Sequence, residues 1–87
     1  MPEAYHVYML ECADGSYYTG IAKNLQDRLA VHQAGRGSRY VAAKLPFQLV
    51  YTETVPSKSA ALKREIEIKR MTHQQKQRLI TAAPESL

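Results

Sequence analysis

The 87-residue chain is predicted to be an α/β domain, with a small three-stranded, mostly antiparallel sheet flanked by helices in the order ββαβαα. Three observations predict it. Two β-favouring runs flank an Asp-Gly pair, the strongest short-range hairpin signal. A third apolar and β-branched run lies between Pro46 and Pro56. Between and after these runs, three segments open on side chains that cap helices.

The elements follow in order. Residues 5–12 (Tyr-His-Val-Tyr-Met-Leu-Glu-Cys) form the first strand and stop at Ala13-Asp14-Gly15-Ser16, where Gly15 accepts positive φ. Tyr17-Tyr18-Thr19-Gly20-Ile21 returns as the second strand. Asn24 is an N-cap, Asp27 lies in the first turn and Gly35 follows the last, which predicts a helix over 25–34. Gly35-Arg36-Gly37-Ser38-Arg39-Tyr40 is read as a basic loop, with a short helical turn over Val41 to Lys44. Residues 47–55 form the third strand. Ser57 or Ser59 caps a second helix over 58–71, and Thr72 with Gln75 forms a capping box for a third that ends before Pro84.

Composition bounds the function classes. The chain is 45% hydrophobic and 23% charged, as an ordinary globular domain is, so neither disorder nor a fibrous repeat is expected. We read one domain over 1–87, with its core at about residues 5–80. Twelve Lys and Arg against eight Asp and Glu leave a net charge of +4, which favours a polyanionic partner only mildly. Cys12 stands alone, which excludes an internal disulfide and a paired-cysteine zinc site, and packing as a small core hydrophobe suffices for it. No apolar run approaches the ~18 residues of a membrane span and no signal peptide is visible, so a cytoplasmic location is expected.

Some residues break the helical patterns. Leu25 and Leu29 set the apolar stripe of the first helix, and at about 100° per residue Arg28 and His32 fall within or beside it. An unpaired guanidinium is costly to bury, so Arg28 needs a carboxylate or an anionic ligand. The bland reading has Arg28 snorkelling from the stripe edge and His32 as a satisfied core histidine. In the second helix, Ala61, Leu62, Ile66 and Ile68 span an arc from about 240° to 40° with Leu62 as origin, and Glu65 falls inside it at about 300°. Such a carboxylate calls for a cation or metal; an Arg28–Glu65 pair or a Glu65–Lys69 pair at i,i+4 would also answer. Tyr accounts for six of seven aromatics. Tyr8 and Tyr18 sit either side of one hairpin, either bringing hydroxyls together at one end of the sheet or simply filling strands. Arg36, Arg39, Lys44 and Lys69 stand out in a basic cluster suited to phosphate contacts, or to a solvated surface. His6 and His73 show no metal-ligand spacing.

Val7-Tyr8, Tyr18-Thr19-Gly20, then Arg28 and His32, then Ala61-Leu62-Lys63-Arg64-Glu65 through Ile68-Lys69 together resemble the GIY-YIG nuclease domain, over about residues 5–80. The likeness is nearest to the short standalone bacterial (YhbQ-like) group, which shares the Ala-Asp-Gly-Ser hairpin and the Gly-Arg-Gly-Ser-Arg-Tyr loop. The chain departs from the family pattern in four ways. His6 replaces its first Gly, Thr19 an Ile or Val, and Ile21 a frequent Lys, and the late Asn of homing members has no counterpart. The last two bear on rate and substrate choice.

The resemblance implies a divalent-metal-dependent DNA endonuclease acting in DNA repair or processing. It implies Glu65 as single protein ligand to Mg²⁺ or Mn²⁺ and Arg28 as a clamp on the scissile phosphate. Tyr18 is implied as the phenolate base, oriented by Tyr8. A free tyrosine titrates near pH ~10, so a cation must lower it, and His32 is the easier base near neutrality. With no appended recognition domain, selectivity is expected to follow the shape of branched, damaged or single-stranded DNA, or a partner protein; RNA stays open as a substrate. The alternative is a nucleic-acid-binding module of the same fold without turnover, and a third reading is a structural protein with an Arg–Glu core pair.

Overall fold

A computed structural model describes residues 4–82. β1 (Tyr5–Glu11) and β2 (Tyr17–Ala22) form the hairpin, with Gly15 at φ 85° in the turn. Asp14 closes that turn by accepting from the Ser16 amide at 3.0 Å and hydroxyl at 2.6 Å. β3 (Gln48–Val55) pairs on the other side of β1, so the order is β2-β1-β3 and both pairings are antiparallel.

The central strand explains its own composition. Val7 and Met9 face one way, into Tyr51, Ala61 and Ile68; Tyr8 and Leu10 face the other, onto Ala22 and Val41. Covered on both faces, β1 needs apolar side chains at consecutive positions. On the Tyr8 face lie α1 (Leu25–Gln33) and α2 (Arg39–Ala42); on the Met9 face lie α3 (Lys58–Lys69) and α4 (His73–Ala82).

The helix ends are built as their side chains dictate. Asn24 Oδ1 accepts from the Asp27 amide at 3.0 Å, and α1 stops in a Schellman motif, with the Gly35 amide on His32 O and the Arg36 amide on Val31 O. Ser57, not Ser59, caps α3, accepting from the Ala60 amide at 3.1 Å. Thr72 and Gln75 exchange both capping-box bonds, at 2.9 and 3.1 Å. The basic loop needs correction. Ser38 is itself an N-cap, accepting from the Tyr40 and Val41 amides, so Arg39 and Tyr40 open α2 rather than closing a loop.

The rotation of α3 also departs from expectation. Ala61 and Ile68 are fully buried, whereas Leu62 is 42% and Ile66 50% exposed. The apolar arc is wide enough to be buried from either edge, and polar contacts decide which. Arg64 Nε donates to Glu53 Oε1 on β3 at 2.8 Å, and Tyr51 Oη donates to Glu53 Oε2 at 2.6 Å. Holding Arg64 against β3 turns the Ala61 and Ile68 edge toward the sheet and leaves Glu65 half-buried at its margin.

Candidate active site

The site begins at one cross-strand pair. Tyr8 on β1 lies opposite Gly20 on β2. A Cβ at Gly20 would sit 2.6 Å from the Tyr8 hydroxyl, closer than real Cβ atoms come, so the Gly is there to let the phenol pass over the neighbouring strand. The phenol ends at His32 of α1, with Oη and Nε2 2.8 Å apart, and both residues are 1% exposed. The second approach is from the α1–α2 loop. A Cβ at Gly37 would sit 2.7 Å from His32 Nδ1, so bare backbone lies against the imidazole and Nδ1 is buried with no hydrogen-bond partner.

Tyr18 completes the cluster. Its ring lies edge-on to His32 at 5.3 Å between centroids and 6.3 Å from the Tyr8 ring, and it is half-buried rather than sealed. Leu10, not Tyr8, is its cross-strand partner; the two tyrosines come together diagonally on one sheet face. Phe47 closes the far side of His32 at 6.2 Å.

Electrostatics connect the remaining two residues to this cluster. Burial pushes the Tyr8 hydroxyl well above the ordinary tyrosine range; Tyr18 pushes it further, Arg28 pulls it down and Glu65 pushes it up. Arg28 and Glu65 stand on helices of opposite sheet faces, yet both act on one hydroxyl. His32 is held below its ordinary value, first by burial and then by Arg28, so the imidazole is neutral near pH ~7.

The structure decides between the readings left open for these residues. Arg28 is exposed, at a shallow depression it lines with Lys23, Asn24 and Asp27, and only His32 of α1 is fully buried. Glu65 Oε2 pairs with Lys69 Nζ at 3.3 Å and not with Arg28, so the structural protein with an Arg–Glu core pair loses its basis. Among the described residues no three His, Cys, Asp or Glu side chains could jointly hold a metal ion. That donor set does not suit a protein-caged zinc. A single partly buried carboxylate does suit Mg²⁺ or Mn²⁺, ions bound through one carboxylate with waters and substrate phosphate filling the shell.

The basic candidates divide. Arg36 and Arg39 are exposed. Lys44 is held by Asp14 Oδ2 at 2.6 Å and its Nζ lies 4.9 Å from the Tyr40 ring centroid, while Lys69 is the partner of Glu65. Of the departures from the family motif, His6 is half-buried and bonds the Thr54 hydroxyl at 3.3 Å. Thr19 is 3% exposed and its hydroxyl has no partner. Gly20, Gly37 and Tyr40 stand in the motif and loop noted in the sequence, but their close packing around Tyr8, His32 and Tyr18 is seen only in the fold. The Gly-x-Gly-Ser spacing after α1 was the available signal for Gly37, because a helix stop needs only Gly35.

Comparison with known proteins matches residues 4–78 to the GIY-YIG catalytic domain. A UPF0213 protein of Staphylococcus epidermidis is 47% identical over 78 residues, spanning 90% of this chain and 95% of its own length. A UPF0213 protein of Natronomonas pharaonis is 45% identical over 80 residues, spanning 92% and 94%. Among solved structures, the solution structure of a UPF0213 protein from Bacillus halodurans aligns with TM-score 0.62 at 36% identity, over 95% of this chain and 88% of that one. A protein from E. faecalis aligns with TM-score 0.64 at 30% identity, over 93% and 88%.

Proposed function

This chain belongs to the GIY-YIG catalytic-domain family, and from that premise we propose that it is a divalent-metal-dependent DNA endonuclease, selective for DNA structure rather than sequence and acting in DNA repair or processing. The observation that carries the reading is the convergence on the Tyr8 hydroxyl. His32 bonds it and Tyr18 adjoins it, while Arg28 on α1 and Glu65 on α3 enter only as charges that lower and raise its proton affinity.

Each residue then has a task that its surroundings favour. Tyr8 keeps its proton, because burial holds the phenol neutral, so it serves to fix His32 rather than to accept a proton. Tyr18, half-buried beside the neutral His32 ring, acts as the phenolate: its own proton leaves to solvent first, and the oxygen then takes the proton from the attacking water. Arg28, exposed at the mouth of its depression, clamps the scissile phosphate with its planar fork. Glu65 holds Mg²⁺ or Mn²⁺, and the bound ion supplies charge neutralisation at the phosphate and leaving oxygen.

One observation favours the second reading, a nucleic-acid-binding module without turnover: Lys69 already sits on the Glu65 carboxylate. Lys69 is 55% exposed in that pair, and exposed pairs contribute only ~0–1 kcal/mol, too little to keep a divalent ion away. The experiment is plasmid and branched-DNA nicking in Mg²⁺ or Mn²⁺. Wild type is expected to nick, and Glu65→Gln to lose nicking while still binding DNA. Binding without nicking in both proteins would establish the module instead, and equal nicking by both would remove Glu65 from the chemistry.

A further inference from the structure

Tyr40 has no task in the proposed reaction, yet it lies one ring beyond the reacting cluster. Its ring is nearly parallel to that of Tyr18, with 28° between planes and 6.3 Å between centroids, and it is 42% exposed. An isolated exposed aromatic is ordinary on protein surfaces. This one is held in place. Ser38 caps the turn that carries it, accepting from the Tyr40 amide at 3.1 Å, and Lys44, itself tied to Asp14 at 2.6 Å, lies over the ring at 4.9 Å. A ring ordered before binding loses little further freedom when a ligand stacks on it. Exposed Arg39, its neighbour in the chain, and exposed Arg36, four residues before it, can take backbone phosphates.

We propose that Tyr40 is a stacking platform for an unpaired base beside the scissile phosphate, the base taking the place of the Lys44 ammonium over the ring, so that the protein selects single-stranded over paired DNA. The inference rests on the nuclease reading of the same site and adds its substrate class. A base within a duplex has both faces occupied by its neighbours, whereas an unpaired base offers a face to an aromatic ring. A basic surface alone does not discriminate between the two, because both carry phosphates. The ring supplies the discrimination.

The test is fluorescence anisotropy with the full chain in EDTA, on a labelled oligodeoxythymidylate and a labelled blunt duplex. Tyr40→Ala and Tyr40→Leu are expected to weaken single-strand binding by about tenfold or more and duplex binding by less than about twofold, while Tyr40→Phe stays near wild type. The salt dependence of single-strand binding should keep its slope in Tyr40→Ala, because stacking releases no counterions, whereas Arg39→Ala should reduce the slope by about one. Thermal melting of each variant confirms folding, and the leucine variant preserves apolar volume if alanine loosens α2. Equal losses on both DNA forms, or a phenylalanine variant as weak as alanine, overturn the proposal. Wild type that binds and nicks DNA with no Tyr40-dependent discrimination overturns this inference alone; wild type that binds neither oligonucleotide overturns the nuclease reading with it.

Discussion

Tyr8 and His32 are two polar side chains in the core, and each satisfies the other through one 2.8 Å hydrogen bond. Tyr8→Phe leaves His32 Nε2 unpaired beside an Nδ1 that already has no partner. An unsatisfied buried group costs ~1–3 kcal/mol. In a domain of this size each kcal/mol moves the thermal midpoint by about 4–8 °C. A drop of at least about 4 °C, with reduced nicking, is expected, and an unchanged midpoint would show that the bond contributes nothing. The pH dependence follows from His32. Its folded value lies below the ordinary 6.5 because burial and Arg28 disfavour the imidazolium. As pH falls below that unfolded value, the unfolded chain takes up a proton that the folded chain refuses, so stability declines. The midpoint should therefore be level above pH 6.5 and fall below it, ahead of the carboxylate range, and His32→Gln should flatten that window. A wild-type midpoint with no slope there would contradict the argument.

At the scale of elements, the hairpin and the helix starts were legible because they are local. The Asp14-Gly15 turn, the Asn24 cap, the Thr72–Gln75 box and the Gly35 stop are each satisfied within a few residues, so spacing alone reveals them. The Arg39 start of α2 was misread because Gly and Arg around Ser38 mask a cap with loop composition. The buried edge of α3 was not legible, since its selection depends on Glu53, a residue of another element, bonding Arg64. The pairing of β1 with β2 supplies a test of its own. Gly20→Ala places a methyl 2.6 Å from the Tyr8 hydroxyl, and the phenol has little room to yield, because it is buried and bonded to His32. Overpacking of this kind costs ~1–3 kcal/mol. Chemical denaturation should show a lowered midpoint with the slope retained, and a wild-type midpoint would mean that the phenol moves aside more easily than its burial implies.

Over the whole molecule, a count of twelve Lys and Arg overstates the cations open to a phosphate, because some are matched by carboxylates. Lys44 and Lys69 are matched by Asp14 and Glu65, whereas Arg36 and Arg39 are exposed and are the cations we propose for phosphate contact. Binding should weaken as salt rises, with the log–log slope reduced by about two in Arg36→Ala/Arg39→Ala and much less in Lys44→Ala. Equal slopes across these proteins would show that the arginines only solvate the surface. The amino-acid order by itself determined the three strands, the locally capped starts of α1 and α4, the four spaced motifs and hence the family, because turns, caps and periodicities are written in neighbouring residues. Only the tertiary structure decided that His32 is sealed while Arg28 is open, that Glu65 meets Lys69, and that Gly20 and Gly37 press backbone against Tyr8 and His32. Those outcomes turn on which groups from distant elements share one small volume, and burial, pairing and proton affinity are properties of that volume rather than of any stretch of chain.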